Sequence, residues 1–274
     1  MQSIFSHNWN FTLKKIGISS VAQQFDTFFE DAAKASVEEL RKKIEVQRFE
    51  LTKSYEKLAV AQDEQVFSQG ENQYDTIPSD EVQEQFSEVA DYEHEISLLK
   101  EKLLALMEMQ VISLYKNYEI AQKELVSTAY EGINVRDLYL WDNVKAFFNS
   151  KGFNFGRIQG YDHINQLRIV NNNIKHSPEI DVEVHKLKLK CFEGLIYFTA
   201  DSLEEFYKRV SREVPKFLVT LSELIIKDLY EYDDKRLEKI AKSYTEKMDK
   251  ATLRKLSLAI DKQINELPIG SVFN

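Results

Sequence analysis

Four polar side chains near the middle of the chain have the types and the spacing of an anion-binding site. They are Arg168, Asn172, Lys175 and His176. At about 100° per residue, these positions fall within an arc of about 100° on a helix. Guanidinium and ammonium groups bind phosphate oxygens, and histidine titrates near neutral pH. The spacing therefore predicts one polar helix face that can bind phosphate and transfer a proton.

The other side of the same segment is apolar, with Leu167, Val170 and Ile174 grouped together, which predicts that it faces a core. Residues 143–176 carry five Lys or Arg and one Asp, a net charge of +4, which leaves −13 on the rest of the chain. A basic island on an acidic protein favours a phosphate or nucleic-acid ligand. A solvated polar face, with His176 stabilising the helix C-terminus, explains the same residues without a ligand.

The sequence around this face resembles HEPN domains (higher eukaryotes and prokaryotes nucleotide-binding), in particular bacterial members with an Asn-x-x-Lys-His ending. The resemblance covers residues 135–178 and rests on WDNVKAFFNSKG from Trp141 and LRIVNNNIKHS from Leu167. It implies an all-α bundle and a homodimer in which two motif helices face each other across a cleft. Many HEPN proteins are metal-independent ribonucleases of toxin–antitoxin or antiphage systems, whereas others bind nucleotides without catalysis.

The resemblance also implies roles for individual residues. His176 would act as general base or acid at a ribose 2′-hydroxyl, and Arg168 and Lys175 would stabilise charge on the phosphate. Asn172 and Asn171 complete the expected phosphate contacts. Seven residues separate Arg168 from His176, against four to six in the family. We expect no cofactor and no metal, because the chain has one cysteine and its histidines are dispersed.

Composition predicts a helical protein. The chain has 8 Gly and 4 Pro among 274 residues, too few for the frequent turns of an all-β fold. No apolar stretch is long enough to cross a bilayer, and the first thirty residues lack the layout of a signal peptide. We therefore expect a cytoplasmic protein with no membrane partner.

The N-terminal part, residues 1–131, is predicted to be helical. Apolar spacing predicts a helix over residues 18–35, and a capping-box pattern at Ser36 predicts the start of a second helix. A loop is expected over residues 67–80, and a helix of about 50 residues follows. The two long segments would pair as an antiparallel hairpin, serving as a structural arm or as a coiled-coil site for a partner.

The C-terminal part, residues 132–274, is predicted to form the HEPN-like bundle. It would contain the helix that carries the polar face and a last amphipathic helix, in one or two pieces, over residues 234–266. Alternating Val, Leu and Lys after Asp181 predict a short β-hairpin within residues 182–199.

Two functions fit this sequence. The first is an RNA-cleaving effector or toxin, dimeric and metal-independent, that acts in antiphage defence or with an antitoxin partner. The second is a non-catalytic interaction protein that dimerises through the bundle and binds a protein partner through the long hairpin. The absence or presence of RNA cleavage separates the two.

Overall fold

The computed structural model describes residues 4–25, 28–69 and 78–266, and over this part the protein is all-α. The described residues contain no β-strand, and a single isolated antiparallel bridge joins Glu179 and Tyr197. The α-helices are α1 (Ile4–Gln23), α2 (Phe28–Gln69), α3 (Asp80–Ala129), α4 (Trp141–Ser150), α5 (Tyr161–His176), α6 (Val182–Lys186), α7 (Ala200–Val210), α8 (Glu213–Tyr230), α9 (Asp234–Thr245) and α10 (Lys250–Glu266).

The two longest helices, α2 and α3, contain neither Gly nor Pro, the residues that most often interrupt a helix. Leu58 of α2 packs with Val82 and Val89 of α3 in one buried cluster. The hydroxyl of Tyr55 donates a hydrogen bond of 2.5 Å to the carboxylate of Glu93. These contacts pair the end of α2 with the beginning of α3 in antiparallel directions. The predicted 50-residue helix is confirmed.

The predicted helix boundaries before α3 are wrong. Residues 18–35 do not form one helix, because α1 ends at Gln23 and α2 begins at Phe28. Ser36 does not cap a helix but lies exposed within α2, where a serine costs little. The expected loop is shorter at its start, because α2 continues to Gln69. Residues 70–77 of that loop lie outside the described residues.

The predicted β-hairpin within residues 182–199 is also wrong. Residues 182–186 form α6, which begins because the carboxylate of Asp181 accepts a hydrogen bond of 2.9 Å from the Val184 N–H. A short 3₁₀ turn, Lys190–Phe192, follows. The alternation of Leu and Lys therefore belongs to a short helix and an irregular segment. Local capping outweighed the apolar periodicity.

The chain divides into two compact units, each assembled from separate segments. The first unit comprises Met1–Phe25, Tyr118–Asp162 and Val214–Asn274, and its core includes the aromatic rings of Phe148, Phe155 and Phe217. The second comprises Asp26–Asn117 and His163–Glu213. Its buried residues include Leu167 of α5 and Phe206 of α7. The division at residue 132 remains a prediction.

The last predicted helix is confirmed as two pieces. The first piece, α9, starts where the carboxylate of Asp233 accepts a hydrogen bond of 2.7 Å from the Arg236 N–H. The second, α10, starts where Asp249 accepts one of 2.8 Å from the Thr252 N–H. The hydrogen bond from the Thr252 N–H, with a further one from the Thr252 side chain, holds the pKa of the Asp249 carboxyl below its usual range.

Candidate phosphate-binding site

The predicted site residues lie on α5, within the second unit. Of the predicted apolar side, Leu167 and Val170 are fully buried and Ile174 is half-buried, and Ile164 of the same helix is also fully buried. The prediction that this side of α5 faces the core is therefore confirmed. Its burial leaves the polar side toward solvent.

Three of the predicted residues, Asn172, Lys175 and His176, are exposed on the other side of α5. Arg168 is half-buried, and its guanidinium donates hydrogen bonds to Asn165 Oδ1, of 3.3 Å from Nε and 3.0 Å from Nη2. These bonds hold the guanidinium along the helix surface. The four side chains share one surface, as their spacing predicted, and no acidic residue lies between residues 163 and 176.

Asn171 does not lie on this surface. Its side chain is fully buried, and its Nδ2 donates a hydrogen bond of 3.2 Å to Asn172 Oδ1. Its own Oδ1 is buried without a hydrogen-bond partner. A side chain in this position does not reach a phosphate in solvent, so we omit Asn171 from the site.

Asn173 has a structural role that the sequence did not reveal. It is buried, and its Oδ1 accepts a hydrogen bond of 2.8 Å from the Asp181 N–H while its Nδ2 donates one of 2.8 Å to the Glu179 carbonyl. An amide can do both because it carries an acceptor and two donors. These bonds tie the segment after α5 back onto the helix and so fix the backbone beside His176. The one available signal was an asparagine in a helix interior, where propensity alone does not favour it.

Two cavities of the second unit are lined by other residues. One, of about 430 Å³, lies between α2, α3 and the start of α7, where Arg41 binds the carboxylates of Asp201 at 2.8 Å and Glu204 at 2.7 Å. The other, of about 420 Å³, lies beside α6 and is lined by His185, Lys188 and Lys190 among others. The predicted polar face is thus an open surface rather than part of either cavity.

Metal binding and cysteine nucleophilic catalysis were also considered for the part of the chain that the structure describes. There, no three His, Cys, Asp or Glu side chains group as metal ligands. Burial raises the pKa of the Cys191 thiol, and the charge of Glu205 raises it further. A thiol of this kind is a poor nucleophile. Among the described helices, none is both long and apolar enough for a membrane span.

Comparisons with known proteins add no family. No family model matches the chain, and neither a curated protein nor a solved structure matches it. The resemblance to HEPN domains therefore rests on residues 135–178 and stays a prediction.

Proposed function

We propose that this protein is a HEPN-like RNA-cleaving effector that acts without a metal and as a homodimer. One observation carries the proposal: Asn172, Lys175 and His176 are exposed together on α5, while Leu167 and Val170 on the opposite side of the helix are fully buried. An exposed imidazole beside an ammonium group and an amide, with no neighbouring carboxylate on the segment, suits a phosphate ester.

The proposed reaction is transfer of the phosphate to the neighbouring 2′-hydroxyl. The imidazole of His176 accepts the proton of the 2′-hydroxyl, and the 2′-oxygen attacks the phosphorus. Arg168 and Lys175 stabilise the negative charge that develops on the phosphate oxygens. The bond to the 5′-oxygen breaks, and that oxygen takes up a proton. The products are a 2′,3′-cyclic phosphate and a free 5′-hydroxyl.

The leaving 5′-oxygen needs a proton donor, and this need is the reason for proposing a homodimer. One imidazole that has just accepted a proton lies on the attacking side, so a second acid serves the leaving group best. α5 carries one other histidine, His163, thirteen residues before His176. A second copy of the chain would bring a second His176 to the same phosphate.

The experiment that tests this function is cleavage of total RNA by the purified protein in the presence of EDTA. We expect fragments with 2′,3′-cyclic phosphate and 5′-hydroxyl ends. The matched control is an oligonucleotide with one 2′-O-methyl group at the cleavage position, which should resist cleavage because it lacks the attacking hydroxyl. Cleavage of this control, or a strict requirement for Mg²⁺, would contradict the proposed chemistry.

The proposed effector role in the cell is tested separately from RNA cleavage in vitro. Expression of the protein without its partner should arrest growth, and an antitoxin that covers the α5 surface should restore it. The partner would carry carboxylates toward Lys175 and Arg168, since charge complementarity directs such complexes. Growth that is unaffected by the active ribonuclease would separate the biochemical activity from the effector role.

A second candidate function is a non-catalytic interaction protein. It is favoured by large apolar side chains that the two long helices leave exposed, among them Phe49 at 61%, Phe67 at 90% and Phe86 at 49%. Exposed aromatic residues of this size are typical of protein contacts. A folded protein that fails to cleave RNA under all the conditions above would leave this candidate ahead.

A further inference from the structure

The end of α6 and the segment that follows it line a cavity of about 420 Å³. Its apolar lining comes from Val184 and Phe192, which are buried, and from the half-buried Leu189. All of its described lining residues lie within residues 184–194, which follow α5 in the chain. The cavity therefore shares no residue with the polar surface of α5.

The polar side chains of this cavity are mainly basic. Lys188 and Lys190 line it together with His185, and Glu193 is the one acidic residue of its described lining. All four residues are exposed, so their side chains can reach a ligand that enters from solvent. Two lysines and one glutamate give the lining a net charge of +1 without His185. The cavity thus favours an anion over a cation.

The two lysines of the cavity differ from their neighbour Lys186 in their ion pairs. Lys186 lies outside the described lining, and its ammonium group contacts the carboxylate of Glu183 at 2.6 Å. Among the residues that the structure describes, no carboxylate lies at ion-pair distance from Lys188 or Lys190. The two ammonium groups beside the cavity are therefore available to an anion from outside the chain.

The backbone at Lys188 is a second, independent observation. Its φ is +50°, and within the described part of the chain it is the one non-glycine residue with a positive φ. Lys188 follows the end of α6, where its N–H donates a hydrogen bond of 3.0 Å to the His185 carbonyl. Helix ends of this kind usually have glycine at this position, since a Cβ is unfavourable there. The helix end explains the conformation but not the lysine, and strained residues concentrate at ligand-binding sites.

We propose that this cavity binds a phosphate group, with Lys188 and Lys190 as its cationic contacts and His185 as a hydrogen-bond donor. Ammonium groups bind phosphate oxygens as compact point charges. The apolar lining keeps water from one side of the ligand, which strengthens these electrostatic contacts. The phosphate group belongs either to a small molecule or to an RNA strand, and the experiment separates these two sources. Binding here does not depend on RNA cleavage at α5.

The test is a titration of the full-length protein with inorganic pyrophosphate, which carries several negative charges but no base or sugar. At constant pH and ionic strength, it should shift the NMR signals of the His185 ring, which the variant His185→Gln identifies by their loss. Lys188→Gln with Lys190→Gln should raise the dissociation constant at least about tenfold. Lys186→Gln is the matched control, because it removes the same charge from the same segment outside the lining. Its dissociation constant should stay within about twofold of wild type.

Two single variants separate binding from folding. Lys188→Gly removes the ammonium group but suits the positive φ, so it should weaken pyrophosphate binding without lowering the melting temperature. Glu193→Gln removes the negative charge of the lining and should strengthen binding. A Lys188→Gly variant that binds pyrophosphate as wild type does would overturn the proposal.

The remaining outcomes are equally definite. An unchanged His185 signal at about 10 mM pyrophosphate, or equal weakening by Lys186→Gln and the double variant, would also overturn the proposal. An uncleavable 2′-O-methyl RNA then distinguishes the sources. Its competition with pyrophosphate would assign the phosphate group to RNA, and simultaneous binding of both would assign it to a small molecule. RNA cleavage in EDTA reports on α5 alone, so failure of either proposal is seen separately.

Discussion

The three consecutive asparagines of α5 have three different environments. Asn172 is exposed beside Lys175, Asn171 is fully buried, and Asn173 binds the backbone of the segment that follows the helix. The sequence predicted the polar face from the spacing of its residues, and three of the four residues of that face are exposed. It could not separate Asn171 from Asn172, because packing partners decide burial and they come from distant segments.

The first prediction concerns Asn173. Replacing it with Ala should lower the free energy of unfolding by about 2 kcal/mol, since the Asp181 N–H and the Glu179 carbonyl lose their partner. Urea denaturation measures the change. Lys175→Ala, an exposed change on the same helix, is the control and should stay within about 0.5 kcal/mol. Equal stabilities of the two variants would show that the amide does not hold the segment.

The second prediction concerns the single cysteine. Burial and the nearby Glu205 raise the pKa of the Cys191 thiol, so the reactive thiolate forms at higher pH than in an ordinary cysteine. The rate of alkylation by iodoacetamide should reach its half-maximum at a higher pH in the folded protein than in the urea-unfolded chain. Glu205→Gln should lower that midpoint. A midpoint equal to that of the urea-unfolded chain would contradict the environment described for this thiol.

Among the elements, the start of α5 depends on the backbone conformation of the glycine that precedes it. Gly160 precedes the helix with φ of +87°, a left-handed conformation that side chains rarely adopt, and a Cβ there would lie 3.3 Å from Phe217 Cβ. Gly152 has the same φ with nothing within 4 Å of its Cβ position. Substitution of Gly152 therefore introduces backbone strain alone, whereas substitution of Gly160 introduces backbone strain together with a packing contact.

The third prediction uses this pair. Gly152→Ala should cost about 1 kcal/mol of unfolding free energy through backbone strain alone. Gly160→Ala should cost about 1 kcal/mol more, because the new methyl group also presses on Phe217. Thermal unfolding followed by circular dichroism compares the two. If Gly160→Ala were the milder change, the contact with Phe217 would have no energetic weight.

Elements were predictable where their signal was long and uninterrupted. The absence of Gly and Pro predicted α3, and the last predicted helix, for which one or two pieces both stayed open, is divided into α9 and α10. Short signals failed, since the alternation after Asp181 predicted strands where a capping carboxylate starts α6. The pattern at Ser36 predicted a helix start within α2. After Asp181 the capping carboxylate decided the outcome, whereas at Ser36 the helix continues through the predicted start.

The whole molecule was the least predictable scale. Each compact unit combines distant segments, and α3, α5 and α8 each contribute residues to both units. Tyr118 of α3, for example, meets the ring of Phe217 of α8 within the first unit, with centroids 6.0 Å apart. Local composition changes at Gly132, but contacts of this kind depend on long-range packing, which periodicity does not report.

The proposed function depends on proton transfer to RNA by the exposed imidazole of His176 on α5. The most direct measurement compares RNA cleavage by wild type, His176→Ala and the control His94→Ala, which removes another exposed histidine on α3. We predict that His176→Ala loses roughly 10²–10⁴-fold in cleavage rate with unchanged circular dichroism, while His94→Ala keeps the wild-type rate. Equal cleavage by wild type and His176→Ala would remove His176 from the mechanism and contradict proton transfer by this imidazole.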